Sequence, residues 1–105
     1  MKAAAQSGAG AGKSVLLCSP SDSVAIALEP LEPDDVVQVP ANSTVLEVRL
    51  QGKVPAFHKF SLCRIPQGQV VLKQGEAIGT ALREIAPGEH VHVHNLSSLR
   101  ARTCA

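Results

Sequence analysis

Turn-forming residues punctuate this chain so often that little room is left for an α-helix of ordinary length. Pro20, Pro30, Pro33, Pro40, Gly52, Pro66, Gly75 and Pro87 fall between short apolar runs. A helix shorter than about a dozen residues is marginal in water, whereas a strand needs only about five. The runs therefore read as strands, several with the period-two alternation of a half-buried sheet. Val15–Cys18, Val36–Val39, Thr44–Leu50, His58–Leu62, Gln69–Leu72 and Ala77–Leu82 are the candidates. Ser23–Leu28 reads as strand or short helix, because its alanines blur the period. The tail from Leu96 could form one helical turn around Leu96 and Leu99. The expectation is a mainly β fold of short strands with at most one or two short helices.

At 105 residues the chain is one domain, expected over 15–105 behind a flexible tail over 1–14 rich in Ala, Gly and Ser. Gly8–Ser14 imitates a phosphate-binding loop, but Ser7 stands where that motif needs its first glycine. The core must be aliphatic, since Phe57 and Phe60 are the only aromatic residues of the Phe, Trp and Tyr class. Ten Lys and Arg against nine Asp and Glu leave a net charge of +1, so neither a basic nucleic-acid face nor base-stacking platforms are expected. No apolar run suits a membrane span and no secretory signal opens the chain. Glu29–Asp35, with two prolines and four acids, reads as a solvated loop. Cys18, Cys63 and Cys104 are odd in number and lack a Cys-x-x-Cys spacing, so they read as reduced thiols of a cytoplasmic protein. Cys18 and Cys63 are expected to be buried, and Cys104 exposed.

The chemistry concentrates in Ala86–Asn95, where a Pro-Gly turn is followed by alternating His and Val. As a strand, this stretch sets its valines on one face and His90, His92 and His94 on the other. Same-face neighbours lie roughly 7 Å apart, so adjacent imidazoles can lean onto one metal ion or one anion. A second stretch, Arg64–Val71, echoes Ile85–Val91: an aliphatic anchor, a Pro/Gly turn, then a β-branched strand.

From His58 onward these motifs fall in an order that resembles a known family. Val54-Pro55-Ala56-Phe57-His58-Lys59-Phe60, Ile65-Pro66-Gln67-Gly68, Val71-Leu72-Lys73-Gln74-Gly75-Glu76 and Ile85–Asn95, with Asp22–Leu28 as opening strand, resemble the SAF domain of altronate/galactarate dehydratases. The resemblance implies a β-clip fold and a role as the small part of a sugar-acid dehydratase. It also covers relatives that act on sulfolactate and lose sulfite. It implies a large dehydratase-like subunit as partner, a sugar-acid or sulfo-acid carboxylate as substrate, and divalent iron or manganese as the metal. A homo-oligomer is compatible with it. Phe57 stands where the family usually has glycine, and Gln74 where tyrosine is common. The chain stops soon after Asn95, so a second polypeptide is expected to supply the rest of the site.

Dehydration of a sugar acid needs a base for the proton α to the carboxylate, an acid or metal for the departing hydroxide, and cations for the carboxylate. His58, Lys59 and His92 are the candidate catalytic residues, Lys73 and Asn95 the candidate substrate-binding residues, and His90, His92 and His94 the candidate metal ligands. The competing expectation is a stand-alone SAF-type module that binds a ligand or metal without catalysis.

Overall fold

The computed structural model describes residues 13–41 and 44–98. Most of the expected tail, together with Leu99 and Cys104, lies outside the described residues. Within them the chain forms nine strands and no helix. These are β1 (Val15–Leu16), β2 (Val24–Ala27), β3 (Val36–Ala41), β4 (Thr44–Arg49), β5 (Lys59–Ser61), β6 (Val70–Lys73), β7 (Glu76–Ala81), β8 (His90–Val91) and β9 (Leu96–Ser98). All pairings are antiparallel. Strands β1-β2-β5-β8 form one sheet, β9-β7-β6 a second, and β3-β4 a two-stranded ribbon.

A single backbone device recurs four times. Leu31, Val54, Ile65 and Ile85 are buried aliphatic anchors. Each is followed by a turn closed by a 3.1 Å hydrogen bond: Asp35 N–H to Glu32 O, His58 N–H to Pro55 O, Gln69 N–H to Pro66 O, and Glu89 N–H to Ala86 O. The third turn residue has positive φ in every case: Asp34 at 71°, Phe57 at 70°, Gly68 at 83° and Gly88 at 81°. That is the pattern of type II turns, whose third position favours glycine. The anchors bridge in pairs, Leu31 with Val54 and Ile65 with Ile85. The echo visible in the sequence is thus two of four corners, and those two face each other.

The corners fold the strands over two aliphatic clusters. One gathers Ala25, Ala27, Leu31, Val37, Val39, Val48, Leu50, Val54 and Phe60; the other gathers Val24, Ile65, Val71, Ala81, Ile85 and Val91. Strand β2 serves both, because alternation turns Val24 to the second cluster and the two alanines to the first. Strand β2 also resolves the strand-or-helix ambiguity of Ser23–Leu28.

Three expectations are corrected. The histidine strand ends at Val91, and the valines part: Val91 is buried while Val93 is 77% exposed. The cause is Asn95, whose buried side chain closes a turn over 92–95. Its Oδ1 accepts the His92 N–H at 2.9 Å and its Nδ2 donates to His90 O at 2.8 Å. Next, Leu96–Ser98 is strand β9, paired with Ala81–Gly79 of β7, where a helical turn was expected. Only glycine suits this close approach at position 79, since a Cβ there would collide with the Ser97 carbonyl. Last, Cys18 and Cys63 are exposed, because the neighbouring Leu17 and Leu62 take the inward positions against the first cluster.

Candidate functional site

Two corners deliver histidine. Strand β5 leaves the Pro55–His58 corner and β8 leaves the Ala86–Glu89 corner, and the two strands pair with Phe60 opposite His90 and Lys59 opposite Val91. Continuing that register sets His58 across from His92. Their rings stack with centroids 4.6 Å apart, and His90 stacks on His92 at 5.5 Å. Nδ1 of His58 and Nε2 of His90 share a hydrogen bond at 2.9 Å whose donor depends on the tautomers. One ring nitrogen from each of His58, His90 and His92 lies within 4.8 Å of the other two. His94 stays at the edge of this group, tilted against His90 with centroids 5.5 Å apart.

The donor set suits a divalent transition metal. Two nitrogens bound to one ion at about 2.1 Å stand roughly 3–3.5 Å apart, close to the His58–His90 separation. Three imidazoles leave coordination positions open and carry no charge of their own, as suits a catalytic ion. Burial lowers the His90 pKa below its ordinary 6.5, and the positive charge that His58, His94, His92 and Lys59 can carry lowers it further. His90 is therefore held neutral near pH 7, the form that ligates metal.

Beside the histidines runs a cleft of about 450 Å³. His92 reaches it, as do Lys59 from β5, Lys73 from the end of β6, and Glu76 and Ser98; Ala77, Ile78, Val93 and Leu96 give it an apolar side. Burial lowers the Lys59 pKa from 10.5, and the neighbouring Lys73 charge lowers it further.

Comparison with known proteins identifies the family of the domain. The family model for the altronate/galactarate dehydratase SAF domain matches residues 13–99. The chain belongs to this family. The SAF domain is 46% identical over 74 residues to altronate dehydratase of Escherichia coli, covering 70% of this chain and 14% of that protein. It is 31% identical over 83 residues to altronate dehydratase of Bacillus subtilis, covering 79% of this chain and 16% of that one. It is 33% identical over 55 residues to the (2R)-sulfolactate sulfo-lyase subunit alpha of Chromohalobacter salexigens, covering 52% of this chain and 58% of that subunit. The chain thus spans a small part of the dehydratases and somewhat over half of the sulfo-lyase subunit.

The SAF domain gathers most of the candidate residues in one place. His58, His90 and His92 cluster, and His94 lies at the edge of the group against His90. Lys59, Lys73 and His92 share the cleft. Asn95 departs from expectation: it is fully buried, and its polar atoms serve the 92–95 turn instead of a substrate hydroxyl. It orients the segment that carries His92 and His94.

Two supporting acids went unnoticed in the sequence. The buried Asp22 carboxylate accepts N–H groups from Ser19 at 3.1 Å and from Gln74 and Gly75 at 2.8 Å each, which clamps the turn after Lys73. The only signal available was an Asp at the end of a Ser-Pro-Ser-Asp turn. Glu89 accepts the Ala86 N–H at 2.9 Å, the Arg83 guanidinium at 2.7 Å and the Asn95 amide at 3.4 Å. Burial alone would raise its carboxyl. The Ala86 and Arg83 bonds, the Arg83 charge and the Asn95 amide outweigh that and hold it below 4.5.

Proposed function

We propose that this SAF domain is the small part of a lyase that eliminates water or sulfite from a hydroxy acid, with its histidine cluster lining a site completed by a large dehydratase-like chain. The observation that carries this reading is the convergence of His58, His90 and His92 from segments some thirty residues apart. The relatives' names, altronate dehydratase and sulfolactate sulfo-lyase subunit alpha, share the loss of a group β to a carboxylate. Both reactions begin by loosening the proton on the carbon between carboxylate and leaving group.

On this reading His58 and His90, already near ligand separation, would hold a divalent iron or manganese ion whose remaining ligands come from the partner chain, which leaves His92 free beside it. When bound, the ion supplies Lewis acidity to the departing oxygen. His92 is the imidazole that reaches the cleft, so it is the one that exchanges a proton with substrate. Lys59 and Lys73 make that cleft cationic, which draws in an acid. The partner chain covers the cleft and excludes water. A cytoplasmic setting, in which the exposed Cys18 and Cys63 stay reduced, goes with this reading.

Co-purification from the native host is the first test, and a large dehydratase-like chain in stoichiometric amount is the expected result. In the reconstituted pair, His92→Ala should lower kcat by at least about a hundredfold, the scale of a general acid–base contribution. The fold should be intact, because His92 is exposed. Unchanged turnover would remove the histidine cluster from the active site.

A further inference from the structure

Lys59 and Lys73 stand in one cleft, and neither ammonium is ion-paired there, although Glu76 lies across the hairpin from Lys73. Both lysines are half-buried. Among the described residues neither ammonium makes an ion pair or hydrogen bond, whereas Lys13 pairs with Asp35 at 3.5 Å. Glu76 lines the same cleft, yet it pairs with neither lysine. Two like charges on one partly desolvated wall repel each other unless an anion comes between them. The wall is also built to hold still. Asp22 fixes the Gln74 and Gly75 amides just after Lys73, and Lys59 rises from the centre of the sheet opposite Ile26 and Val91.

We infer that Lys59 and Lys73 together form an oxyanion subsite for the carboxylate of a hydroxy acid, separate from the histidine centre and joined to it by His92. The apolar side of the cleft, from Ala77 to Leu96, then faces the carbon chain. The substrate class rests on the proposed elimination reading, while the subsite itself rests on the two lysines. It gives them a part in the chemistry. When the α proton leaves for the base, the C–H electron pair moves into the carboxylate and forms an enediolate with two negative charges. When the β bond breaks, that pair forms the new C=C bond and the leaving group departs with the β-bond electrons, as hydroxide or sulfite. The charge facing the lysines therefore doubles and then falls back. Cations held in place for that moment favour the transition state over the bound acid.

The test uses the full chain, freed of metal with a chelator and followed by NMR. Glycolate should bind saturably, with shifts at Lys59 and Lys73, while neutral glycolamide should not bind. Lys73→Met and Lys59→Met should each weaken glycolate about tenfold, the scale of one charge-assisted hydrogen bond. Lys73→Arg should stay near wild type, and Lys53→Met, at an exposed turn, should change nothing. The amide spectrum reports whether each variant is folded, and Lys73→Met at the hairpin end decides if Lys59→Met is not. Glycolate affinity unmoved by these changes, or matched by glycolamide, overturns the subsite. Methanesulfonate binding as tightly as glycolate overturns its assignment to a carboxylate. In the reconstituted pair, Lys73→Met should lower kcat more than it raises KM. An inactive pair whose small chain still binds glycolate counts against the elimination reading alone. An active pair whose turnover ignores both lysines counts against the subsite alone.

Discussion

The corner at Pro66–Gln69 and the corner at Ala86–Glu89 have the same backbone and opposite surroundings. Gly68 and Gly88 share nearly the same positive φ, 83° and 81°. Gly68 is exposed, and a Cβ added to it would meet nothing within 4 Å. Gly88 is buried, and a Cβ there would strike the Arg49 carbonyl. Its N–H donates to Ser61 O at 2.9 Å and its carbonyl accepts the Gln51 N–H at 2.9 Å. The first corner is also tied to a distant strand, since the Gly68 N–H donates to Ala81 O at 2.8 Å, but nothing packs against its Cα. The second is wedged between two other segments, and it is the one that launches His90. A chemical group needs more positional control than a surface turn does, and the extra contacts around Gly88 provide it.

The sharpest way to break this comparison is alanine at both glycines. Gly68→Ala should cost about 1–2 kcal/mol, the penalty of a left-handed conformation for an L residue. Gly88→Ala adds overpacking against Arg49 and should cost about 3 kcal/mol or more. Urea unfolding measures both, and equal losses would show that the wedge contributes nothing.

Smaller in effect is the acid beside that corner. Glu89→Gln should cost about 1–2 kcal/mol at neutral pH, because charge-assisted bonds to Arg83 and to the Ala86 amide are weakened. The Glu89 pKa in the folded chain lies below its ordinary 4.5. The stability it contributes is therefore present in full above about pH 5 and lost as pH falls through the folded value. Wild type and variant should converge in acid. A difference in stability that stays constant with pH would show that Glu89 does not act through its charge.

The smallest change tests a third corner, where Phe57 holds the positive-φ position with its side chain 75% exposed. Phe57→Gly should stabilise the domain by up to about 1 kcal/mol, as strain is relieved with little packing lost. A destabilised variant would mean that the Phe57 side chain makes a contribution in the free domain that its exposure does not suggest.

Much of the fold was legible because its rules are local. Short apolar runs marked β3 to β7, with period-two alternation clearest in β4, and Pro and Gly marked the corners between them. The turn after Lys73 has positive φ at both Gln74 and Gly75, the type I′ pattern that a Gln-Gly pair between alternating strands suggests. The reading failed where a side chain overrode a local pattern. His90–His94 alternates like a strand, yet Asn95 supplies the hydrogen bonds that a partner strand would have offered, and the chain turns. It failed again for Cys18 and Cys63, whose apolar character said nothing about which neighbour would take the inward position.

By itself the sequence determined the corners and the residue types that leave them, because steric limits on φ act within a few residues and need no distant contact. Aliphatic anchors followed by turn residues lead to short antiparallel strands in any arrangement that buries them. Which strands meet was a tertiary decision. His58 and His90 touch because Phe60 and Val91 are both driven into the aliphatic interior, and the β5–β8 ladder that buries them brings the two corners side by side. Burial is collective and set by the whole chain, so the meeting of those imidazoles is written in no single stretch of it.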